Sequence, residues 1–487
     1  MSASQYGTAN PADIDSTSGV LKELKDAENQ TTGKILPNAE SESKCYLQRR
    51  HLVVVLAFLG FANIYAMRAN LSVAIVQMTS DTVVITVDGQ QVREAEFEWD
   101  SITQGAILGA FFYGYFLTQL LGGYLAHRYG GKFVYFAGVF GTAVFTLLSP
   151  PLAKLGKVSI MAARFWEGLF EGVSYPAMHA ILGNWAPTME KTRMSAISYA
   201  GSYFGTVIAM PISAVIGLHF GWPSIFYFFG VAALLWCFLW VKKFHDMPEN
   251  DPNITTDELT LLKRETKQAV VPWKHILSSR AVWAIVIAHV CQNWGFYTML
   301  TSLPRILENL LSYDREKAGS LSSLPYVPMG IVLLTAGGFA DYLRKNYMWS
   351  TIKARKVFCC LGLLGEAAFL LLATTEMRRL LVLASLIISV GLGGLAWSAF
   401  SVNSLDIAPQ YAGHLMGLSN TLATLPGMIS PLFVGAVVKN QLRCEWHTVF
   451  FFTSGIYIFG AFIFWVWAKG ELEEWSLHQV DSSQTDD

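Results

Sequence analysis

The sequence predicts an all-α integral membrane protein, with twelve transmembrane helices in two pseudo-symmetric six-helix halves. Three observations carry that prediction. Of the 487 residues, 53% are hydrophobic and only 15% are charged, a balance outside that of soluble domains. The apolar residues gather into twelve segments long enough to cross a bilayer as helices. The polar punctuation between segments repeats. Gly122-Gly123-Tyr124-Leu125-Ala126-His127-Arg128 follows the second segment, and Gly337-Gly338-Phe339-Ala340-Asp341-Tyr342-Leu343-Arg344 follows the eighth. Trp185-Ala186-Pro187 and Ile407-Ala408-Pro409 likewise follow the fourth and tenth. Glycine lets helices approach closely and basic residues mark cytosolic turns, so Gly123, Arg128, Asp341 and Arg344 read as gating-loop residues. Two halves with shared punctuation are the plan of an alternating-access carrier.

In chain order, residues 1–47 form a polar tail expected to be disordered, without the apolar core of a cleaved signal peptide. Lys44, Arg49 and Arg50 flank the first span, 51–78, and so place the N-terminus in the cytosol. The first half, 48–243, continues with spans at 101–126, 132–151, 158–182, 194–217 and 222–243. A charged linker, 244–279, leads to the second half, 280–469, with spans near 280–303, 317–341, 356–374, 379–402, 411–437 and 446–469. An even number of spans returns the C-tail, 470–487, to the cytosol. Residues 79–100 read as an acidic loop on the other side. Pro176, Pro211, Pro426 and Pro431 are expected to kink their helices. A net charge of −1 gives no reason to expect nucleic acid, and six scattered cysteines show neither metal nor disulfide spacing. The implied partners are the lipid bilayer and a small anion, with no cofactor or metal, and a functional monomer is expected.

Span four is where function is sought. It carries Arg164, Glu167, Glu171 and His179 in an otherwise apolar helix. Each charge near mid-bilayer costs roughly 2.5–3.5 kcal/mol. The spacings are i,i+3 and i,i+4 through Tyr175, so one face of the helix carries the set. Such a stripe is either a structural ion pair that fixes packing or a substrate and proton site. Aligning Pro187 with Pro409, an offset of 222, sets Glu167 opposite Ser389 and Glu171 opposite Gly393. Symmetric packing therefore does not require the charges, which favours function. Glu171 reads as the proton carrier, with Glu167 its coupled partner and His179 a further candidate.

Arg68 in span one is either an interfacial anchor that snorkels or an anion-binding fork. Together Arg68 and Arg164 would hold one anionic substrate. Tyr113 in span two, and His289 with Gln292-Asn293 in span seven, are candidate cavity liners, although a lone His is often structural. Glu366 in span nine reads as peripheral. No zinc-protease motif, intramembrane Ser/His/Asp set or paired intramembrane Asp points to an enzyme. A transport-inactive nutrient receptor is a further alternative, although no large soluble signalling domain accompanies the spans.

The runs Asn63-Ile64-Tyr65-Ala66-Met67-Arg68-Ala69-Asn70-Leu71-Ser72, Phe111-Phe112-Tyr113-Gly114-Tyr115, Tyr175-Pro176-Ala177-Met178-His179 and Leu405-Asp406-Ile407-Ala408-Pro409 closely resemble one family. It is the anion:cation symporter branch of the major facilitator superfamily, which holds the sialin, vesicular glutamate and type I sodium–phosphate transporters. The resemblance covers roughly residues 48–470. It implies an organic-anion symporter. Sialin-like members have two glutamates where this chain has Glu167 and Glu171, whereas vesicular glutamate transporters are neutral at the first and carry Arg where this chain has Gln292. The resemblance therefore implies coupling to H+, with sialic acid or acidic amino acids as substrates. The alternative is a plasma-membrane cotransporter of Na+ with inorganic phosphate or organic anions. Two departures stand out. His127 replaces the acidic residue usual in the superfamily's loop motif, and no dileucine signal precedes Leu52, although 257–262 fits an acidic dileucine pattern. A lysosomal or vesicular membrane and the plasma membrane both stay open.

Overall fold

The computed structural model describes residues 48–79, 81–85, 91–187, 190–262, 271–376 and 378–476. The tail read as disordered, 1–47, lies outside the described residues.

The first half consists of α1 (Arg49–Thr79), the strands β1 (Asp81–Ile85) and β2 (Gln91–Ala95), then α2 (Ser101–Tyr129), α3 (Gly131–Leu155), α4 (Lys157–Glu171), α5 (Ser174–Trp185), α6 (Lys191–Phe220) and α7 (Trp222–Lys243). Two short linker helices follow, α8 (Thr256–Leu262) and α9 (Trp273–Ser278). The second half holds α10 (Arg280–Asn309), α11 (Arg315–Leu321), α12 (Tyr326–Tyr347), α13 (Thr351–Thr375), α14 (Arg379–Ile407), α15 (Ala412–Leu422), α16 (Leu425–Val437) and α17 (Arg443–Trp467). Taken as passages, with α4–α5, α11–α12 and α15–α16 as broken ones, these are the twelve expected spans.

Among the described residues nine helices are long and apolar enough to cross a membrane, ten with the bent pair that makes up α2. The two passages outside that set are α4–α5 and α10, the ones that carry Arg164, Glu167 and Glu171, and His289, Gln292 and Asn293. Polar residues placed for another purpose have diluted their apolar character.

The breaks have local causes. A proline ring clashes with the carbonyl four residues back. Pro176 therefore ends α4 around Gly172, and Pro426 ends α15 at Leu422. Pro211 and Pro431 stay inside continuous helices. Between α2 and α3, α3 and α4, and α6 and α7, the chain turns on Gly130, Gly156 and Gly221 with φ of 87°, 129° and 80°, a region that favours glycine. Asp100, Ser279 and Ser350 cap α2, α10 and α13 by accepting backbone N–H bonds.

The connection read as a loop contains an antiparallel hairpin, with Asp81 opposite Ala95 and Ile85 opposite Gln91. Glu96 then accepts the Trp222 indole N–H at 2.7 Å, which ties the hairpin's exit to the start of α7. This side of the protein is called the hairpin end, and the opposite side, with Arg49, Arg128 and Lys242, the basic end. The halves pack together at the hairpin end. A Cβ on Gly105 of α2 would overlap the Pro431 carbonyl of α16, and one on Gly109 would lie 3.2 Å from the Met428 carbonyl. Gly319 of α11 meets Ala214 of α6 in the same way, at 2.7 Å.

The linker is more than a tether. Its Glu258 is buried and accepts the backbone N–H groups of Arg49 and Arg50 at 3.1 and 3.0 Å, which caps α1. Asp251 takes the Arg49 guanidinium at 2.8 Å. The 257–262 stretch is thus a helix docked on the first half, with its second acidic residue committed to α1. Glu190, between α5 and α6, accepts from Arg50 at 2.8 Å, and that hydrogen bond holds its carboxyl below the ordinary value of 4.5.

Candidate functional site

The site begins with a close approach of two helices. On α4, a Cβ at Gly168 would overlap the Phe111 carbonyl of α2; on α2, one at Gly114 would overlap the Phe165 carbonyl of α4. Bare backbone on both sides lets the helices touch. That contact brings Arg164, Glu167 and Glu171 against the aromatic run of α2.

The four charges form two ion pairs. Arg164 donates to Glu167 one turn along the same helix, with side chains 3% and 1% exposed. Ser149 of α3 donates to the other Glu167 oxygen at 3.0 Å, and Thr142 donates to its backbone carbonyl at 3.3 Å. Arg68 reaches across from α1 and donates to Glu171, with side chains 2% and 1% exposed. Each glutamate thus has one arginine: Arg164 takes the i,i+3 partner its spacing offered, and Arg68 takes Glu171 from another helix. The structure also rules out the anchor reading of Arg68, which is buried rather than snorkelling.

The two pairs differ in completeness. Both Glu167 oxygens are occupied. Glu171 Oε2 has no partner among the described residues, nor do Arg68 Nε and Nη1. The Arg68 guanidinium carbon lies 4.5 Å from the Tyr65 ring centroid and 4.8 Å from those of Phe111 and Tyr115. Tyr65 and Tyr175 join hydroxyls at 3.1 Å beside it. Aromatic faces favour a cation, and around it Arg68 keeps two donors, and Glu171 one acceptor, with which an anion and a proton could engage.

The other candidates lie apart from this cluster. Tyr113 is 45% exposed, on the side of α2 away from Tyr115, which is the tyrosine that meets Arg68. His179 is exposed on α5, with its Nδ1 3.2 Å from the Tyr199 hydroxyl. His289 is fully buried in the second half, 2.7 Å from Ser419 Oγ and packed on Trp397 and Phe400. Asn293 donates to the Ala423 carbonyl at 2.9 Å, the carbonyl that the α15–α16 break leaves without a helical donor. Arg128 and Arg344 sit in the last turns of α2 and α12, where cations suit the helix ends. Gly123 has nothing within 4 Å of where a Cβ would stand, and the Asp341 side chain lies outside the described residues.

One reading is corrected. Glu366 is not peripheral: it is 2% exposed on α13, and a single oxygen, Oε1, accepts from Gln292 of α10 at 3.0 Å and Tyr457 of α17 at 3.2 Å. Tyr65 was within reach of sequence reasoning, one turn before Arg68. Ser149 and Tyr457 carried no sequence signal, because only the fold brings them to their glutamates. No group of three His, Cys, Asp or Glu side chains suited to a metal occurs among the described residues.

A buried arginine–carboxylate pair inside a two-half helix bundle defines the class, a secondary transporter, and comparison agrees. The family described as Major Facilitator Superfamily matches residues 56–431. A bacterial homolog of the human lysosomal transporter Spinster superposes with a TM-score of 0.67 over 86% of this chain and 96% of its own, at 13% identity. The D-xylose-proton symporter does so at 0.65, over 86% and 98%, at 16% identity. Those two show the fold. Human sialin is 41% identical over 91% of this chain and 93% of its own length. Zebrafish (Danio rerio) vesicular glutamate transporter 3 is 36% identical over 88% and 75%. The chain belongs to the major facilitator superfamily, as a sialin-like member of its anion:cation symporter branch. It is a multi-pass membrane transporter of anions and not an enzyme.

Proposed function

We propose that the chain is a proton-coupled symporter of small organic anions, such as sialic acid or acidic amino acids, and that the Arg68–Glu171 pair couples proton to anion. The incomplete satisfaction of that pair carries the reading. While Glu171 is ionised it occupies Arg68. A proton on Glu171 removes the charge that holds the guanidinium, and the planar fork is left for the substrate's carboxylate. When the anion leaves, an ionised Glu171 returns to Arg68 and its proton departs. Neither species then crosses alone, because a bare Arg68 or a bare Glu171 would stand uncompensated in a buried site. Arg164–Glu167, whose two carboxylate oxygens are both taken, by Arg164 and by Ser149, fixes α4 against α3 and keeps the local charge balanced, with only Arg164 Nε left without a partner among the described residues. Coupling of this kind suits a lysosomal or vesicular membrane, with both termini in the cytosol and the halves alternating access by rocking about the site. Purified protein in vesicles, given sialic acid or glutamate under separate proton and sodium gradients, tests this. Accumulation should follow the proton gradient in the absence of sodium. Accumulation that follows sodium alone would replace this reading with sodium-dependent cotransport of phosphate or organic anions.

A further inference from the structure

Five arginines are buried among the described residues: Arg50, Arg68, Arg164, Arg305 and Arg355. Four of them rest on carboxylates, Arg50 on Glu190 and Glu258, Arg68 on Glu171, Arg164 on Glu167 and Arg355 on Asp406. Arg305 does not. Its Nη1 donates to the neutral Oε1 of Gln104 at 3.2 Å, from α10 across to α2. Its Nε and Nη2 have no partner, although the residue is only 6% exposed. Glu308, one turn further on, faces Arg315 at 3.5 Å instead. Gln104 is held in place by its own amide, which donates to the Trp99 carbonyl at 2.9 Å. A guanidinium buried without a counter-charge is costly to keep, and the other four buried arginines show that this fold ordinarily avoids that cost.

Position gives the cost a purpose. Arg305 lies near the hairpin end of α10, at the seam where the two halves close. Two turns back on the same helix, about 12 Å along the axis, Tyr297 packs on Phe112 with centroids 4.6 Å apart. The Phe112 ring in turn lies 6.0 Å from the Arg68 guanidinium. Arg305 therefore stands above the central pair on the hairpin side, and its one partner belongs to the opposite half.

We propose that Arg305 is the loading site for the anion at the hairpin-side mouth. When the halves part there, Gln104 leaves with the first half. The guanidinium, with every donor then free, takes the incoming oxyanion before passing it down α10 to Arg68. The chemistry is that of a carboxylate on a planar fork, and a small inorganic anion would satisfy the same donors. This rests on the transport reading above.

Vesicles sorted for one orientation test it, with sialic acid uptake measured from each side separately. Without a gradient, maximal rate divided by KM must be equal in the two directions, so a site present only on the hairpin side leaves an asymmetric mark. For Arg305→Gln, entry from the hairpin side should show KM raised about tenfold with the maximal rate near wild type. Entry from the basic side should show KM near wild type and the maximal rate lowered by the same factor. Arg305→Lys, which keeps the charge but loses the fork, should fall between. Equal rises in both KM values would move Arg305 into the central site. A loss of maximal rate alone from both sides, or no change, would make it a packing residue. Each of these results overturns the proposal. Chloride added on the hairpin side identifies the occupant. Inhibition of wild type that disappears in Arg305→Gln means an inorganic anion also loads there, and no inhibition leaves the carboxylate as the ligand. Wild-type vesicles that carry neither sialic acid nor glutamate would reject the transport reading itself. The anion site would then stand only if sialic acid or chloride raises the melting temperature of wild type and not of Arg305→Gln, and would fall otherwise.

Discussion

The two halves of the molecule bury a glutamate at the same seam and treat it in opposite ways. In the first half Glu167 lies where α4 meets α3; in the second, Glu366 lies where α13 meets α14. The backbone contact is common to both, since Thr142 donates to the Glu167 carbonyl at 3.3 Å and Ser389 to the Glu366 carbonyl at 2.9 Å. The 222-residue offset sets Ser389 opposite Glu167, so the carboxylate has changed sides of one conserved seam. What surrounds it has changed as well. Glu167 has an arginine and a serine, whereas Glu366 has an amide and a phenol and no cation among the described residues. Both donors to Glu366 meet the same oxygen, and its Oε2 has no partner among the described residues. The first half is built from charge pairs that a proton or an anion can rearrange. At the matching seam of the second half the carboxylate meets neutral hydrogen-bond donors instead. The proton-and-anion pair proposed above thus lies in the first half, while the equivalent seam of the second half holds its carboxylate by neutral donors alone.

Substitutions that exchange a carboxylate for an amide sharpen that contrast. The largest effect is expected at Glu171. Glu171→Gln mimics a permanently protonated carrier, so substrate-for-substrate exchange should continue while accumulation driven by a proton gradient is abolished. Wild-type accumulation in folded Glu171→Gln protein would sink the coupling scheme. Glu167→Gln should instead act on stability, because it strips Arg164 of its counter-charge at a cost of about 3–5 kcal/mol. Glu366→Gln strands no cation and leaves a carbonyl oxygen that can accept the same two bonds, so it should cost about 1 kcal/mol or less. Thermal unfolding of the two variants side by side checks this, and equal losses would erase the distinction between the halves. Arg68→Lys keeps the charge but loses the fork, and should weaken apparent substrate affinity about tenfold; uptake kinetics would show it. The smallest effect belongs to the surface. Glu190 has a carboxyl lowered from 4.5 by Arg50, so its stabilisation is present at neutral pH and lost only as pH falls through that lowered value. Glu190→Gln should cost about 1 kcal/mol or less of stability at neutral pH, seen as a slightly lower melting temperature, and the difference from wild type should vanish in strong acid.

Much of the fold was legible because membrane helices announce themselves by length and apolarity. The passages that dilute that signal, α4–α5 and α10, still read as apolar segments of spanning length despite their polar residues. The buried charges were legible for the opposite reason, since an arginine in an apolar run needs explaining. Their pairing was only half visible. Arg164 and Glu167 are three residues apart and one helix turn decides them, whereas Arg68 and Glu171 are 103 residues apart and meet only through packing. Glu366 was misjudged on the same ground, because its partners come from two other helices. Arg305 gave no sequence signal, because only the packed structure shows that no carboxylate stands beside it. The hairpin and the docked linker escaped because polar connections carry no periodicity strong enough to reveal them.

The cap that Glu258 places on α1 also bears on how the protein is made. The acceptor for the first helix's leading N–H groups is encoded 209 residues after Arg49. During synthesis that helix enters the bilayer with its start held only by water, and stays so until six spans have been threaded and the linker has emerged. The cap can close only once the linker that carries Glu258 has emerged. A chain ended just after Lys243 would hold all six helices of that half and lack the residue that fastens its beginning.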